Sequence, residues 1–249
     1  GYGSKASSYT SIAIGNGSRA TAYWSTAIGN HTLASGTSSV AMGESTKSSG
    51  TFSFSTGWYS TASGFGSAAT GLYTLARGGS SIAMGSYTTA HGEYSIALGY
   101  KTTSKPIASL SIGQYNDTTC SAGGNLTWTS TDPLLIMGNG INNNSRSNAF
   151  TVLKNGNTAI GHASPTQMLD VNGNGRFRSI ASGAYSGPVN RTSDGTLTTA
   201  TSDIFFKENV SALNNCLNLV LQLRGISFTW KSEPGMGKKI GFIAQEVEK

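Results

Sequence analysis

The sequence predicts a mainly β protein, with a parallel β-solenoid first, an irregular β shaft next and a small α+β segment at the C-terminal end. Three observations point there. Glycine recurs every 14 residues at Gly1, Gly15, Gly29, Gly43, Gly57, Gly71, Gly85, Gly99 and Gly113, without insertion. Other columns of residues keep the same phase. From Ser202 onward the composition shifts toward helical and aromatic patterns. A fixed short period means that each repeat contributes one rung and cannot bury its own apolar face.

The columns define the rung. Two residues before the glycine stand Ala13, Ala27, Ala41, Ser55, Ala69, Ala83, Ala97 and Ser111. Aliphatics flank that small residue, as in Ile12 and Ile14 or Val40 and Met42. Ser11, Ser25, Ser39 and their equivalents precede it, and a second small column runs through Ala6, Ala20, Ala34 and Ser48. The alternation reads as two very short strands per repeat, joined by turns. The small residues lie where backbones come close. Glycine is expected to end the strand, because the turn needs a positive φ. No helix-period apolar face occurs here. Eight coils at rung spacing would stand roughly 38 Å tall.

Ala, Ser, Gly and one or two aliphatics per coil bury little area, so a single chain has only a thin core. Several chains sharing one core would resolve this, with the flanking aliphatics between subunits. The phrase S-I-A-I-G-x-x-S-x-A resembles the head repeat of trimeric autotransporter (YadA-like) adhesins, and related repeats occur in phage tail fibres. The resemblance covers residues 1–113 and implies a trimeric left-handed parallel β-roll. Repeats four and five depart from it at Phe54, Thr56, Ala68 and Thr70.

Length and charge set further bounds. The 249 residues can hold two or three modules, and only 11% are charged. High Gly and Ser usually accompany disorder, but the strict period argues for order. The net charge of +6 is spread thinly, with no run or stripe of basic residues visible, so nucleic-acid binding is not indicated. A weakly basic shaft favours an anionic cell surface. Cys120 and Cys216 stand in different modules and read as free buried thiols. No apolar run is long enough to span a membrane. Gly1 opens in mid-repeat, so the N-terminus reads as a fragment boundary. Sequons at Asn16, Asn30, Asn125 and Asn190 are expected by chance in a chain this rich in Asn, Ser and Thr.

After Gly113 the period stops. Residues 114–149 read as an irregular β segment with loops and an apolar island from Leu134 to Met137. Trp128 is a candidate for stacking on a sugar or for packing on the shaft. Residues 150–201 read as hairpin connector and linker. A hairpin is expected around Asn155-Gly156, and a second around Asn172-Gly173. The phrase from Asn155 through Gly173 resembles connectors that precede the C-terminal domain of many fibre proteins.

Residues 202–249 form the last segment. A helical period runs from about Ser211 to Arg224, with Ser211 as N-cap and Gly225 as terminator. Ile226, Phe228 and Trp230 alternate as a strand, a Pro234-Gly235 turn follows, Ile240 to Ile243 form a second strand, and a helix starts at Ala244. Ser202-Asp203, Lys207, Leu221-Gln222-Leu223-Arg224, Phe228-Thr229-Trp230 and the run from Gly241 to Glu248 together resemble the endosialidase-type intramolecular chaperone domain. That family sits at the ends of trimeric phage fibres and tailspikes, templates trimer folding, and is released by self-cleavage. The family domain is normally longer, and its later helices are expected beyond this segment.

The resemblance implies Ser202 as nucleophile, Lys207 as general base and Asp203 as a residue that shapes the site. A serine hydroxyl needs a neighbouring base, and lysine serves when burial lowers its pKa. Cleavage would be a single maturation event. Ile204, Phe205 and Phe206 stand where the family often has charge, which fits an uncleaved cap instead.

His31, His91 and His162 lie apart in sequence without metal-ligand spacing, and no paired carboxylates or phosphate loop appear. No cofactor or metal is expected. The expected partners are other copies of the chain, as a homotrimer, and a cell-surface receptor, glycan included; nucleic acid and membrane insertion are not. Two readings result: an extracellular phage or phage-like tail fibre with a self-processing chaperone, or a bacterial cell-surface adhesin that keeps its cap. An ice-binding face is the third. Ser18, Thr32, Thr46, Ser60, Thr74, Thr88 and Thr102 align, but the next column lacks paired threonines.

Overall fold

A computed structural model of the chain describes residues 1–119, 126–176, 190–191, 197–198, 208–212, 216–229 and 237–247. The chain divides into two compact units, Gly1–Arg178 and Ser179–Lys249.

The first unit is a β-solenoid. Each coil supplies one two-residue strand and one five-residue strand. The short strands, from Lys5–Ala6 to Thr103–Ser104, stack into an all-parallel sheet of eight. The long strands, from Ile12–Asn16 to Leu110–Gln114, begin a second sheet of twelve. Register follows the 14-residue period: Ala13 pairs with Ala27, and Gly15 with Gly29. Phe54, Thr56, Ala68 and Thr70 keep that register.

The two small columns face each other inside each coil. Ala20, Ala27, Ala34 and Ala41 form one buried cluster, and Ala62, Ala69, Ala76, Ala83, Ala90 and Ala97 form another. Ser48 and Ser55 interrupt them, and their hydroxyls bond each other at 2.7 Å. A buried hydroxyl needs such a partner to offset its lost hydration. The serine four residues before the glycine closes a turn. Ser25, Ser67 and Ser95 donate to carbonyls three residues back, at 2.7, 2.8 and 2.7 Å.

The repeat glycine does not end the strand. It is the fourth of five strand residues, with φ between 96° for Gly113 and 131° for Gly29. A methyl group on Gly57 would lie 2.1 Å from the carbonyl oxygen of Gly71. Stacked backbones, as well as the positive φ, therefore exclude a side chain. Two further positions per coil are left-handed, and most are not glycine. One column holds Thr10, Trp24, Ser38, Phe52, Ser80, Tyr94 and Ala108; the other holds His31, Ser45, Tyr59, Tyr73, Tyr87 and Lys101. A left-handed non-glycine residue costs roughly 1–2 kcal/mol. Bonds between coils offset this: the N–H groups of Tyr59, Tyr73 and Tyr87 donate to Glu44, Trp58 and Leu72 of the preceding coils at 3.0, 2.9 and 2.8 Å.

The solenoid sheet does not stop at Gly113. The apolar island forms strand Pro133–Asn139, parallel to Leu110–Gln114, with Gly138 opposite Gly113. It is a ninth rung, displaced by an insertion. Its inward residue is Ile136, 1% exposed, where earlier rungs carry Ala or Ser. The next strand, Asn148–Leu153, is antiparallel, which ends the coil stacking. The hairpin through Asn155-Gly156 leads to Thr158–Ile160. The second expected hairpin is absent among the described residues. Leu169–Val171 instead pairs parallel with Thr158–Ile160, and the Asn172 N–H continues that ladder to the Ile160 carbonyl at 3.0 Å.

In the second unit, strand Ile226–Phe228 pairs antiparallel with Lys239–Gly241, and helices cover Cys216–Leu221 and Ala244–Val247. The first helix is shorter than its apolar period. Ser211 and Ala212 lie outside it, so Ser211 is not its N-cap. It ends at Leu221, where the Leu223 N–H bonds back to Val220 at 3.1 Å in a tight last turn. Gly225 has no positive φ and does not cap it. The two-residue strands Asn190–Arg191 and Leu197–Thr198 pair antiparallel. The Pro234-Gly235 turn and Trp230 lie outside the described residues.

Candidate functional site

Ser202, Asp203 and Lys207 lie outside the described residues, as does Cys120. The segments downstream that carry the chaperone resemblance are described, and one contact joins them. The Arg224 guanidinium forks onto Glu246, Nη2 to Oε1 at 2.6 Å and Nε to Oε2 at 3.2 Å. This two-point hydrogen-bonded pair raises the Arg224 pKa further above its ordinary value, the direct bonds contributing most. It ties the end of Leu221–Arg224 to the run beginning at Gly241. Leu217, Leu221, Ile240 and Phe242 of this unit are exposed. Unburied apolar side chains at this density mark an interaction surface.

The solenoid offers three side-chain constellations. The first is aromatic. Tyr59, Tyr73 and Tyr87 share one column and stack at 5.0 Å between successive centroids, 12° and 15° from parallel. Trp58 meets Tyr73 edge-on, and the Lys101 ammonium sits 4.4 Å from the Tyr87 centroid. The solenoid geometry makes this row, because residues 14 apart come within contact distance.

The second surrounds the insertion. Trp128 is 58% exposed, and Lys154 Nζ covers its ring at 4.3 Å. One ring face is therefore occupied by a cation and the indole is not packed into the shaft. Lys154 Nζ also lies 3.9 Å from Asp132. Burial lowers the Lys154 pKa, and Asp132 partly opposes that shift.

The third is cationic. Arg77, His91 and Lys105 stand on successive rungs, a basic stripe that the linear sequence hides because its members are 14 residues apart. Burial, then Arg77 and Lys105, lower the His91 pKa below its ordinary value. His31 is exposed in a left-handed turn, and His162 Nε2 lies 3.2 Å from Asp170. Among the described residues no three His, Cys, Asp or Glu side chains converge to hold a metal. No described helix is long and apolar enough to cross a membrane.

The aligned Ser/Thr column is not a surface. Ser18, Thr32, Thr46, Ser60, Thr74, Thr88 and Thr102 are all buried. Ser18 and Ser60 donate to the carbonyls of Gly29 and Gly71 at 2.7 Å each. An ice-binding face is thereby removed. The first two sequon asparagines bond each other across a rung, Asn16 Nδ2 to Asn30 Oδ1 at 3.2 Å.

Solenoid and C-terminal unit together fit a protein of the adhesin or tail-fibre type. Comparison with family models agrees. The YadA head domain repeat matches residues 1–18, 6–32, 34–60 and 76–102, and the chaperone of endosialidase matches residues 202–249. The chain thus carries YadA head repeats at its N-terminal end and a chaperone-of-endosialidase domain at its C-terminal end. Repeats of this kind belong to extracellular or surface-exposed proteins, and both families imply homotrimeric assembly. No curated protein matches the chain.

Proposed function

We propose that the protein is a homotrimeric tail fibre of phage or phage-like origin, whose solenoid presents a binding surface to a cell. The C-terminal domain templates trimer folding and is released by cleavage beside Ser202. One observation carries the trimer. The outer face of the long-strand sheet is a continuous apolar row, with Ile12 and Ile14 at 49% and 55% exposure and Met84 at 45%. Each buried Ala methyl inside contributes on the order of only 0.8 kcal/mol, so the exposed row is the larger reserve of burial energy. Packing three such rows on one axis would bury it.

In the cleavage step Ser202 supplies the hydroxyl and Lys207 takes its proton, with burial in the trimer lowering the lysine pKa. Asp203 shapes the site. The exposed Leu217, Leu221, Ile240 and Phe242 support a domain completed by its partners.

Two measurements test the reading. Sedimentation equilibrium of the native chain should return three times the chain mass; a monomer overturns it. Intact mass of the protein expressed with its complete C-terminus, beside Ser202→Ala, should show a fragment lost near Ser202 only in the unsubstituted protein. Full-length chains in both would leave a permanent cap, as expected of a cell-surface adhesin.

A further inference from the structure

We infer that one column of the solenoid is a binding stripe for an extended anionic polysaccharide. The inference rests on the reading of this protein as a surface-binding fibre and names the class of ligand. The column is the residue that follows each two-residue strand. It carries hydroxyls on five rungs, from Ser7 to Ser63, and then Arg77, His91 and Lys105. All are exposed or half-buried.

The backbone sets the alignment. Ala76 pairs with Ala90, and Ala90 with Ser104. The Arg77 N–H donates to Ala90 and the His91 N–H to Ser104, each at 2.8 Å. The three cationic side chains therefore rise along one line at rung spacing, about 4.8 Å. Like charges directly opposite one another on a sheet are destabilising. Here the repulsion is uncompensated within the chain: among the described residues neither Arg77 nor Lys105 forms an ion pair with a carboxylate. Glu93, two residues beyond His91, turns over Gly79 instead. The lowered His91 pKa reports the same field. An anionic ligand would relieve a repulsion that the fold alone sustains.

The flank of the stripe is bare. Gly64, Gly78 and Gly92 follow it, and a methyl group on Gly78 would stand 2.0 Å from the Gly92 carbonyl oxygen. A chain can thus lie against backbone without meeting side chains. The stripe is straight, and its eight rungs span roughly 34 Å. Hydroxyl rungs suit the hydroxyls of a sugar chain, and three basic rungs suit carboxylate or sulfate groups at intervals along it. A nucleic acid would present phosphate at every nucleotide and would need aromatic rings for its bases; this column has none.

The test uses the full chain, with dextran sulfate, uncharged dextran and oligo(dT) as probes. Arg77→Ser/His91→Ser/Lys105→Ser installs the residue type of the preceding rungs, and Arg77→Gln/Lys105→Gln provides a second variant. Arg19→Ser/Lys47→Ser removes the same formal charge elsewhere. Dextran sulfate affinity should fall by about tenfold or more in both stripe variants and stay within about twofold in the control. Equal loss in the control, no loss in the stripe variants, or tighter binding of oligo(dT) than of dextran sulfate overturns the inference. Cell binding that survives in the stripe variants sinks the stripe alone; an unsubstituted chain that is monomeric and binds no cells sinks the fibre reading beneath it.

Discussion

Lys154 holds its ammonium 3.9 Å from the Asp132 carboxylate, and neither side chain reaches solvent. Their backbones are joined as well, the Lys154 N–H donating to the Asp132 carbonyl at 2.9 Å. The pair fastens the end of the insertion to the hairpin behind the ninth rung. Two desolvated charges stabilise little as a pair, but removing one leaves the other uncompensated. Lys154→Met should therefore lower the unfolding free energy by about 3 kcal/mol in denaturant titrations, and adding Asp132→Asn should restore much of it. Additive losses in the double variant would refute the coupling.

Two glycines separate steric need from conformational need. Gly57 has φ of 109° and its added methyl group would strike backbone; Gly66 has φ of 61° and would meet only Ser80 Oγ at 3.5 Å. Gly66 also stands in a column where other coils hold Ser, Thr or Phe. Gly66→Ala should cost about 1 kcal/mol and Gly57→Ala on the order of 3 kcal/mol or more. Thermal melts of the two variants decide it, and similar losses would mean that coil spacing yields easily.

Tyr73 sits between two stacked neighbours and touches Trp58. Ser45 holds the same left-handed position two coils earlier, so the backbone accepts a small residue there. Tyr73→Ser should then cost only the ring contacts, about 1–3 kcal/mol, with the solenoid circular dichroism intact. A collapse of the spectrum would instead assign the tyrosine a role in coil geometry.

Much of this was legible because a solenoid converts sequence period directly into register. The glycine column, the alanine core and the two strands per coil all follow from spacing. The ninth rung was not legible: 25 residues separate Gly113 from Gly138, and Ile136 replaces the marker alanine. The left-handed turns were hidden because His31, Tyr59 and Tyr73 carry no local signal for positive φ; bonds to the preceding coil impose it. The cationic stripe escaped because charge was read along the chain, not down a column. The buried Ser/Thr column looked like a surface because hydroxyls usually face water. Ser202 and Lys207 are legible only through the family motif.

Asp170 accepts from the Thr166 N–H at 2.9 Å and from its hydroxyl at 3.0 Å, and faces His162. The backbone bond, ahead of the other contacts, holds its pKa below the ordinary 3.8. A carboxyl with a depressed folded pKa stabilises above 3.8 and loses that contribution as pH falls through the folded value. Asp170→Asn should lower the melting temperature by about 1–2 °C at neutral pH. The difference should vanish in strong acid, where the unsubstituted carboxyl is protonated in both states. A gap that persists there would assign the loss to shape, not charge.

Thr74, Thr88 and Thr102 follow one another in the buried column, and among the described residues their hydroxyls find no hydrogen-bond partner. Ser18 and Ser60 show what the column is for, since each reaches the carbonyl of a repeat glycine. The threonine methyl group fills space between coils, while its hydroxyl is buried at a cost of roughly 1–3 kcal/mol. Valine keeps the shape and removes that cost. Thr88→Val should be neutral or raise stability by up to about 1 kcal/mol, whereas Ser60→Ala should lower it by a similar amount. Denaturant midpoints of the two variants give the answer. Destabilisation by Thr88→Val would mean that the hydroxyl has a partner in the assembled protein, and so that the column reaches a subunit contact.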